Sequence, residues 1–172
     1  VLLFNEQIGV SESFRYGIFQ TISIITTTGF TITELDNMGI LLPVFIMLLA
    51  FVGACSGSVG GGIKAWRINI LIRLAFDNIT KIMHPTAVST IKFNGEKIEQ
   101  KQIESVFSFV AIYVLIAILF LLALMFQNID FYSAFSAVSA TLNNLGPGLG
   151  EFSDNYSSLE PAGKITLSLA MI

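Results

Sequence analysis

Ser23-Ile-Ile-Thr-Thr-Thr-Gly-Phe-Thr-Ile32 is the stretch from which the rest of the chain can be read. Its polar end, Thr26-Thr-Thr-Gly-Phe30, has a partner 117 residues further on, counted from Gly29 to Gly146: Asn143-Asn-Leu-Gly-Pro-Gly148. Each is a short, glycine-bearing hairpin among apolar segments. Each also follows an amphipathic stretch with Phe-x-x-x-Ser, Phe19 to Ser23 and Phe135 to Ser139, although the gap from that serine to the glycine differs by one residue. Backbone that is neither helix nor closed barrel persists at membrane depth only where it lines a protein cavity or a watery path. Two re-entrant loops in one short chain therefore predict an ion pathway.

Composition places the chain in a bilayer. It is 53% hydrophobic and 12% charged, where an ordinary soluble domain carries about 25% charge. No charge occurs in the 27 residues between Asp36 and Lys64, or in the 25 between Glu104 and Asp130. A helix needs about 20 apolar residues to cross the hydrocarbon core, and runs of this length seldom fit as core helices inside so small a soluble domain. An integral, multi-pass membrane protein is expected. Seven basic residues and four acidic ones lie between Lys64 and Glu104, whereas residues 1–40 and 127–160 hold eight acidic residues and only Arg15 as a base. Lys and Arg mark the cytoplasmic side, so the 79–104 connection is expected in the cytoplasm and both hairpins enter from outside. The acidic outer face should mildly enrich cations, and nothing in this pattern asks for nucleic acid.

The single cysteine, Cys55, allows neither an internal disulfide nor a cysteine metal site, and packing is its expected role. The chain has no signal-peptide pattern, and its apolar ends, Val1-Leu-Leu-Phe4 and the uncharged run 165–172, read as cut membrane helices, hence a piece of a longer protein. Ser11 or Ser13 is a candidate cap for a short pore helix from Phe14 to about Ile25, where Phe14, Ile18, Ile22 and Ile25 keep helical spacing. Glu34 and Asp36 follow in the exit loop. An apolar helix from about Gly39 to Val52 is interrupted at Gly53-Ala-Cys-Ser-Gly-Ser-Val-Gly-Gly-Gly62 and resumes from Ile63 to about Phe76. Each glycine costs a helix about 1 kcal/mol relative to alanine, so this break must face protein or the pore. Packing through Gly53-x-x-x-Gly57 or Gly57-x-x-x-Gly61 is the simpler alternative. Gly57 to Lys64 is not a phosphate loop, because Ile63 separates Gly62 from Lys64, Ala65 follows, and the run sits in a membrane helix. His84, beside Pro85, reads as a loop residue. The cleanest span is Ser105 to Met125. Asp130 or Ser133 caps a second pore helix to about Thr141, and Pro161 opens a last helix. The order is a repeated span, pore helix, loop, span: an all-α membrane protein.

A dehydrated cation needs several converging oxygen dipoles, which rings of backbone carbonyls supply. Gly29 and Gly146 tolerate the positive φ that lets successive carbonyls point the same way. The carbonyl ends of the pore helices favour cations, and Thr26, Thr27, Thr28, Asn143 and Asn144 can brace the loops or add oxygens. Neither hairpin contains Asp or Glu, which argues against a divalent site and for a monovalent one. No catalytic constellation is found, so an enzyme is not expected.

Taken together, Thr26-Thr-Thr-Gly-Phe30, Gly57-Ser-Val-Gly-Gly-Gly-Ile-Lys64, His84-Pro85 with Lys92-Phe-Asn-Gly95, and Leu142-Asn-Asn-Leu-Gly-Pro-Gly-Leu-Gly150 resemble the TrkH/TrkG branch of the bacterial Trk/Ktr potassium transporters, grouped with the plant HKT proteins. The resemblance covers nearly the whole chain. It implies a K+-channel-like fold with four span–pore–span units in one subunit. Residues 1–78 would be the third unit, 79–104 the cytoplasmic connection and 105–172 the fourth. It implies a filter built from backbone carbonyls of Thr26, Thr27, Thr28, Gly29, Phe30, Asn143, Asn144, Leu145, Gly146 and Pro147, with potassium as transported ligand and no cofactor. Gly57, Ser58, Val59, Gly60, Gly61, Gly62 and Lys64 would form an intramembrane gating loop, with Lys64 and Arg67 anchoring its cytoplasmic end. A homodimer, a cytoplasmic TrkA-like nucleotide-binding regulatory subunit and a bacterial inner-membrane location are also implied, with the hairpins entering from the periplasmic side. The family's pore-facing arginine of the final helix would lie past Ile172. Two hairpins are half a ring, so the missing N-terminal half of the subunit is a required partner and this chain is not expected to conduct alone. Two other classes remain open: a secondary transporter (symport with H+ or Na+) with a midplane site on broken helices, and a non-conducting scaffold packed through its glycines.

Overall fold

The computed structural model describes residues 9–32, 41–53, 55, 57–58, 60–84, 92–93, 96–146, 148–152 and 155–171. Residues 1–4, Glu34, Asp36, Gly39, Val59, Pro85, Asn94, Gly95 and Pro147, all named above, lie outside them. Among these described residues six helices follow in order: α1 Val10–Ile25, α2 Leu41–Val52, α3 Ala65–Met83, α4 Gln100–Met125, α5 Phe131–Leu142 and α6 Pro161–Ala170. A 3-10 turn, Gly150–Phe152, precedes α6. Where the sequence shows the turn-like Phe93-Asn-Gly-Glu96, β1 (Lys92–Phe93) pairs antiparallel with β2 (Glu96–Lys97). Among the described residues the fold is otherwise all-α.

The short helix α5 sits at the centre, against α2, α4, α6 and the 3-10 turn. Its sequence explains why: Ser133, Ala134, Ser136, Ala137, Val138, Ser139, Ala140 and Thr141 are all buried, and small side chains let neighbouring backbones approach closely. Asp130 caps it, its carboxylate accepting from Tyr132 N at 3.0 Å. One apolar cluster joins Ile24 of α1 with Ile46, Met47 and Ala50 of α2 and with Leu145 and Leu149. A second joins Leu124, Ala134, Ala137, Val138, Phe152, Leu159 and Leu167, tying α4, α5 and α6 together.

Three helix limits differ from expectation. Helix α1 starts at Val10 rather than near Phe14, and neither Ser11 nor Ser13 caps it; the N-cap is Gly9. Gly9 O already accepts Ser13 N–H at 3.0 Å, so the helix is under way before the serines are reached. Helix α3 runs past Phe76 to Met83, supported by an i,i+4 ion pair between Asp77 and Lys81 at 2.7 Å. It stops at His84, which as the residue before Pro85 is steered away from helical backbone. Helix α4 begins at Gln100, five residues before Ser105. Its 26 residues make it the one helix, among those described, long and apolar enough to cross a membrane, at roughly 39 Å for a core of about 30 Å. By the same rise α1 and α5 reach only about 24 and 18 Å.

Candidate filter hairpins and the glycine loop

The two hairpins close on their helices in the same way. After α1, Thr26 N donates to Ile22 O (2.9 Å), Thr27 N to Ile24 O (3.0 Å) and Thr28 N to Ser23 O (2.9 Å). After α5, Asn143 N donates to Ser139 O (3.3 Å), Asn144 N to Thr141 O (3.1 Å) and Leu145 N to Ala140 O (2.8 Å). Every donor and acceptor is displaced by the 117 positions that separate Gly29 from Gly146. Positive φ recurs at the same places: Thr27 (55°) and Gly29 (78°), then Asn144 (52°) and Gly146 (100°). Residues two apart with left-handed backbone reverse the chain tightly and re-aim the intervening carbonyls.

This register corrects the serine motif. Ser23 and Ser139 are 116 apart, so Ser23 is matched by Ala140 and Ser139 by Ile22. One residue rotates a side chain by about 100° around a helix, and the two serines serve different neighbours. Ser23 Oγ donates to Phe30 O of its own hairpin at 2.7 Å, whereas Ser139 Oγ donates to Met47 O of α2 at 3.3 Å.

Between α2 and α3 the chain leaves the helix and folds back, so that a Cβ built on Gly53 would lie 3.4 Å from Gly62 Cα. The excursion between these ends touches both hairpins. A Cβ on Gly60 would lie 2.5 Å from Thr27 Oγ1, and one on Gly61 would overlap the Asn143 backbone, 2.5 Å from its carbonyl carbon and 2.6 Å from its Cα. Gly62 abuts Asn143 Oδ1, which a Cβ would approach to 3.1 Å. Close approach of three backbones is what the triple glycine permits. Lys64 Nζ folds over the loop and donates to Ser58 O (2.8 Å), Ser58 Oγ (3.3 Å) and Gly60 O. Arg67 packs its guanidinium on the Phe109 ring, 4.0 Å from the centroid, fixing α3 to α4.

Two of the carbonyls are already engaged: Phe30 O by Ser23, and Gly146 O by the Tyr156 hydroxyl at 3.1 Å. A carbonyl has a second lone pair, so each keeps acceptor capacity. The Leu145 side chain is buried in the first apolar cluster, leaving only its backbone to the loop. Thr26 Oγ1 and Thr28 Oγ1 share a hydrogen bond of 2.7 Å across the first hairpin.

A family model described as TrkH, cation transport protein, matches residues 4–172. The chain belongs to the TrkH family. It is 40% identical over 161 residues to the Trk system potassium uptake protein TrkH of Vibrio parahaemolyticus, covering 94% of this chain and 33% of that protein. The TrkH of Escherichia coli is 40% identical over 154 residues, 90% of this chain and 32% of that protein. The TrkI of Halomonas elongata is 30% identical over 157 residues, 90% of this chain and 32% of that protein. The crystal structure of the potassium transporter TrkH from Vibrio parahaemolyticus superposes with a TM-score of 0.90 at 38% identity, over 99% of this chain and 36% of that one. The chain thus spans about a third of the length of these relatives.

Several residues that hold the site together carry no motif. Tyr113, on α4, donates its hydroxyl to Asn143 Oδ1 at 2.8 Å. Ser136 Oγ accepts from Leu149 N at 2.9 Å and donates to Ser133 O at 2.9 Å, clamping the return limb of the second hairpin. The Tyr156 ring stacks on Phe152, centroids 5.3 Å apart. Sequence gives weak signals for these: hydroxyls on an otherwise apolar helix, and aromatic residues in a polar loop.

Proposed function

We propose that this chain supplies two of four filter segments of a potassium uptake pore, Thr26–Phe30 and Asn143–Pro147, with 57–64 as a movable constriction between them and the cytoplasm. The observation that carries the reading is the hairpin repeat. The same three capping hydrogen bonds and the same two positive φ values recur 117 residues apart, as expected of quasi-equivalent walls of one pore. No carboxylate lies in either loop, which favours a weakly held monovalent ion. The glycine loop is well placed to act as a gate, since it touches one hairpin through Gly60 and the other through Gly61. On this reading residues 1–78 and 105–172 are the third and fourth units of a subunit in the bacterial inner membrane, joined by 79–104 in the cytoplasm. The other units of the subunit complete the ring. A second subunit and a TrkA-like nucleotide-binding regulator are its expected partners, the latter at the basic cytoplasmic face.

The test is thermal stability of the purified full-length protein in K+, Rb+, Na+ and Li+. Selective stabilisation by K+ and Rb+ is expected, because a site that replaces the hydration shell of a large monovalent ion stabilises only the folded state. Equal response to all four ions overturns the filter. Deleting 57–62 should leave proteoliposomes leaky to K+, and unchanged flux removes the gate. Flux that requires a proton or sodium gradient would move the coupled-transporter reading ahead.

A further inference from the structure

Asn143 is where the second hairpin, the glycine loop and α4 meet. It is fully buried, and its side chain is held at both ends: Nδ2 donates to Ser139 O at 2.7 Å, and Oδ1 accepts the Tyr113 hydroxyl at 2.8 Å. Gly61 rests on its backbone and Gly62 on its Oδ1. Tyr113 is in turn set by aromatic neighbours, edge-on to Phe51 of α2 (6.2 Å) and stacked on Phe109 (6.1 Å). Phe51 O accepts Ile63 N–H at 3.0 Å where the glycine loop rejoins the chain. One tyrosine therefore touches both the hairpin residue on which the loop sits and the helix end from which the loop departs. Its ring also borders an apolar groove of about 370 Å³, lined by Leu48, Phe51, Ile63, Phe135 and Val138.

We propose that Tyr113 is a positioning residue for the glycine loop. Through its hydrogen bond to Asn143 Oδ1 it fixes the surface on which Gly61 and Gly62 seat, and its release lets the loop lift from the second hairpin. The proposal rests on the reading of 57–64 as a movable loop, and names what holds it down. A hydrogen bond from a long spanning helix to the residue beneath the loop also gives α4 a direct means of biasing the loop's position.

The experiment uses the full-length protein with Tyr113→Phe, and reads hydrogen exchange in peptides covering 53–64 by mass spectrometry. Loss of one net hydrogen bond should raise exchange there by roughly five- to tenfold, with exchange in α1 and α6 unchanged. A rise spread evenly over all helices, or none in 53–64, overturns the proposal. Tyr113→Phe leaves a buried amide oxygen unpaired, so the pair Tyr113→Phe with Asn143→Leu is measured beside it. Melting temperature should recover in that double variant, because no polar group is left stranded, while loop exchange stays high. Recovery of both would make the bond merely structural and overturns the assignment. Neither readout uses transport, so absence of potassium-selective stabilisation would count against the filter without touching this result.

Discussion

The two hairpins share a backbone but not a means of support. The first is braced by itself: Ser23 reaches Phe30 O, Thr26 reaches Thr28, and Ile18, Phe19 and Ile22 of α1 lie exposed with Phe30 around a hollow of about 460 Å³. The second carries a like internal clamp, Ser136 to Leu149, and is braced besides from outside by α2, α4 and the loop before α6, through Ser139, Tyr113 and Tyr156. The bonds described support the first hairpin locally and the second largely through tertiary contacts. The copies should therefore respond differently to the same kind of damage.

The glycine loop is the sharpest probe, since it presses on one hairpin's side chain and the other's backbone. Gly61→Ala drives a methyl into the Asn143 backbone, which cannot yield; overpacking of this kind costs about 1–3 kcal/mol. Gly60→Ala meets the Thr27 hydroxyl instead, so a smaller loss is expected, and Thr27→Ala should relieve it. Gly57 has open space at its Cα, and Gly57→Ala should stay within about 0.5 kcal/mol. Melting curves of the full-length variants in detergent check the order 61, 60, 57. A Gly61→Ala protein as stable as Gly57→Ala would mean the loop does not seat on the second hairpin.

Serine-to-alanine pairs break the comparison more gently. Ser136→Ala strands the buried Leu149 N–H, for about 1–3 kcal/mol. Ser23→Ala frees Phe30 O, whose residue is 69% exposed, so the carbonyl can find water and the loss should be about 0.5–1 kcal/mol. Equal losses in denaturant unfolding would mean that the two clamps are worth the same although one is buried and the other reaches an exposed residue.

What sequence could reveal follows this same division. Features set by local chemistry were legible: the Asp130 cap, Pro161 in the first turn of α6, the break at Gly53–Gly62, and the all-α membrane class that charge-free runs require. Left-handed backbone at Thr27 and Asn144 was not, because neither residue type demands it. The serine motif misled by one position, since a short repeat of Phe and Ser aligns by composition while the fold aligns by capping bonds. The role of Tyr113 was not legible because its partner is 30 residues away, and nothing in helical periodicity links a hydroxyl on a long apolar helix to an amide in a loop. Met47 and Ser139, 92 residues apart, are a stronger case of the same limit.

The smallest expected effect separates the outer braces of the second hairpin from its buried ones. Burial pushes the Tyr156 phenol up from 10.0 to about 12, because a phenolate there would lose hydration. The folded state thus holds the proton longer than the unfolded chain. The resulting stabilisation is complete below about pH 10 and is lost as pH climbs toward 12. Tyr156→Phe removes that slope, and it also removes the bond to Gly146 O, whose residue is exposed and can accept water instead. At neutral pH the cost should be only about 0.5–1 kcal/mol. Melting wild type and Tyr156→Phe from neutral to strongly alkaline pH checks both parts: the curves should differ slightly at pH 7 and converge above pH 10. Parallel curves would mean the phenol is not held neutral by the fold. The second hairpin would then owe its support to the buried Ser136 and Ser139 and the half-buried Tyr113.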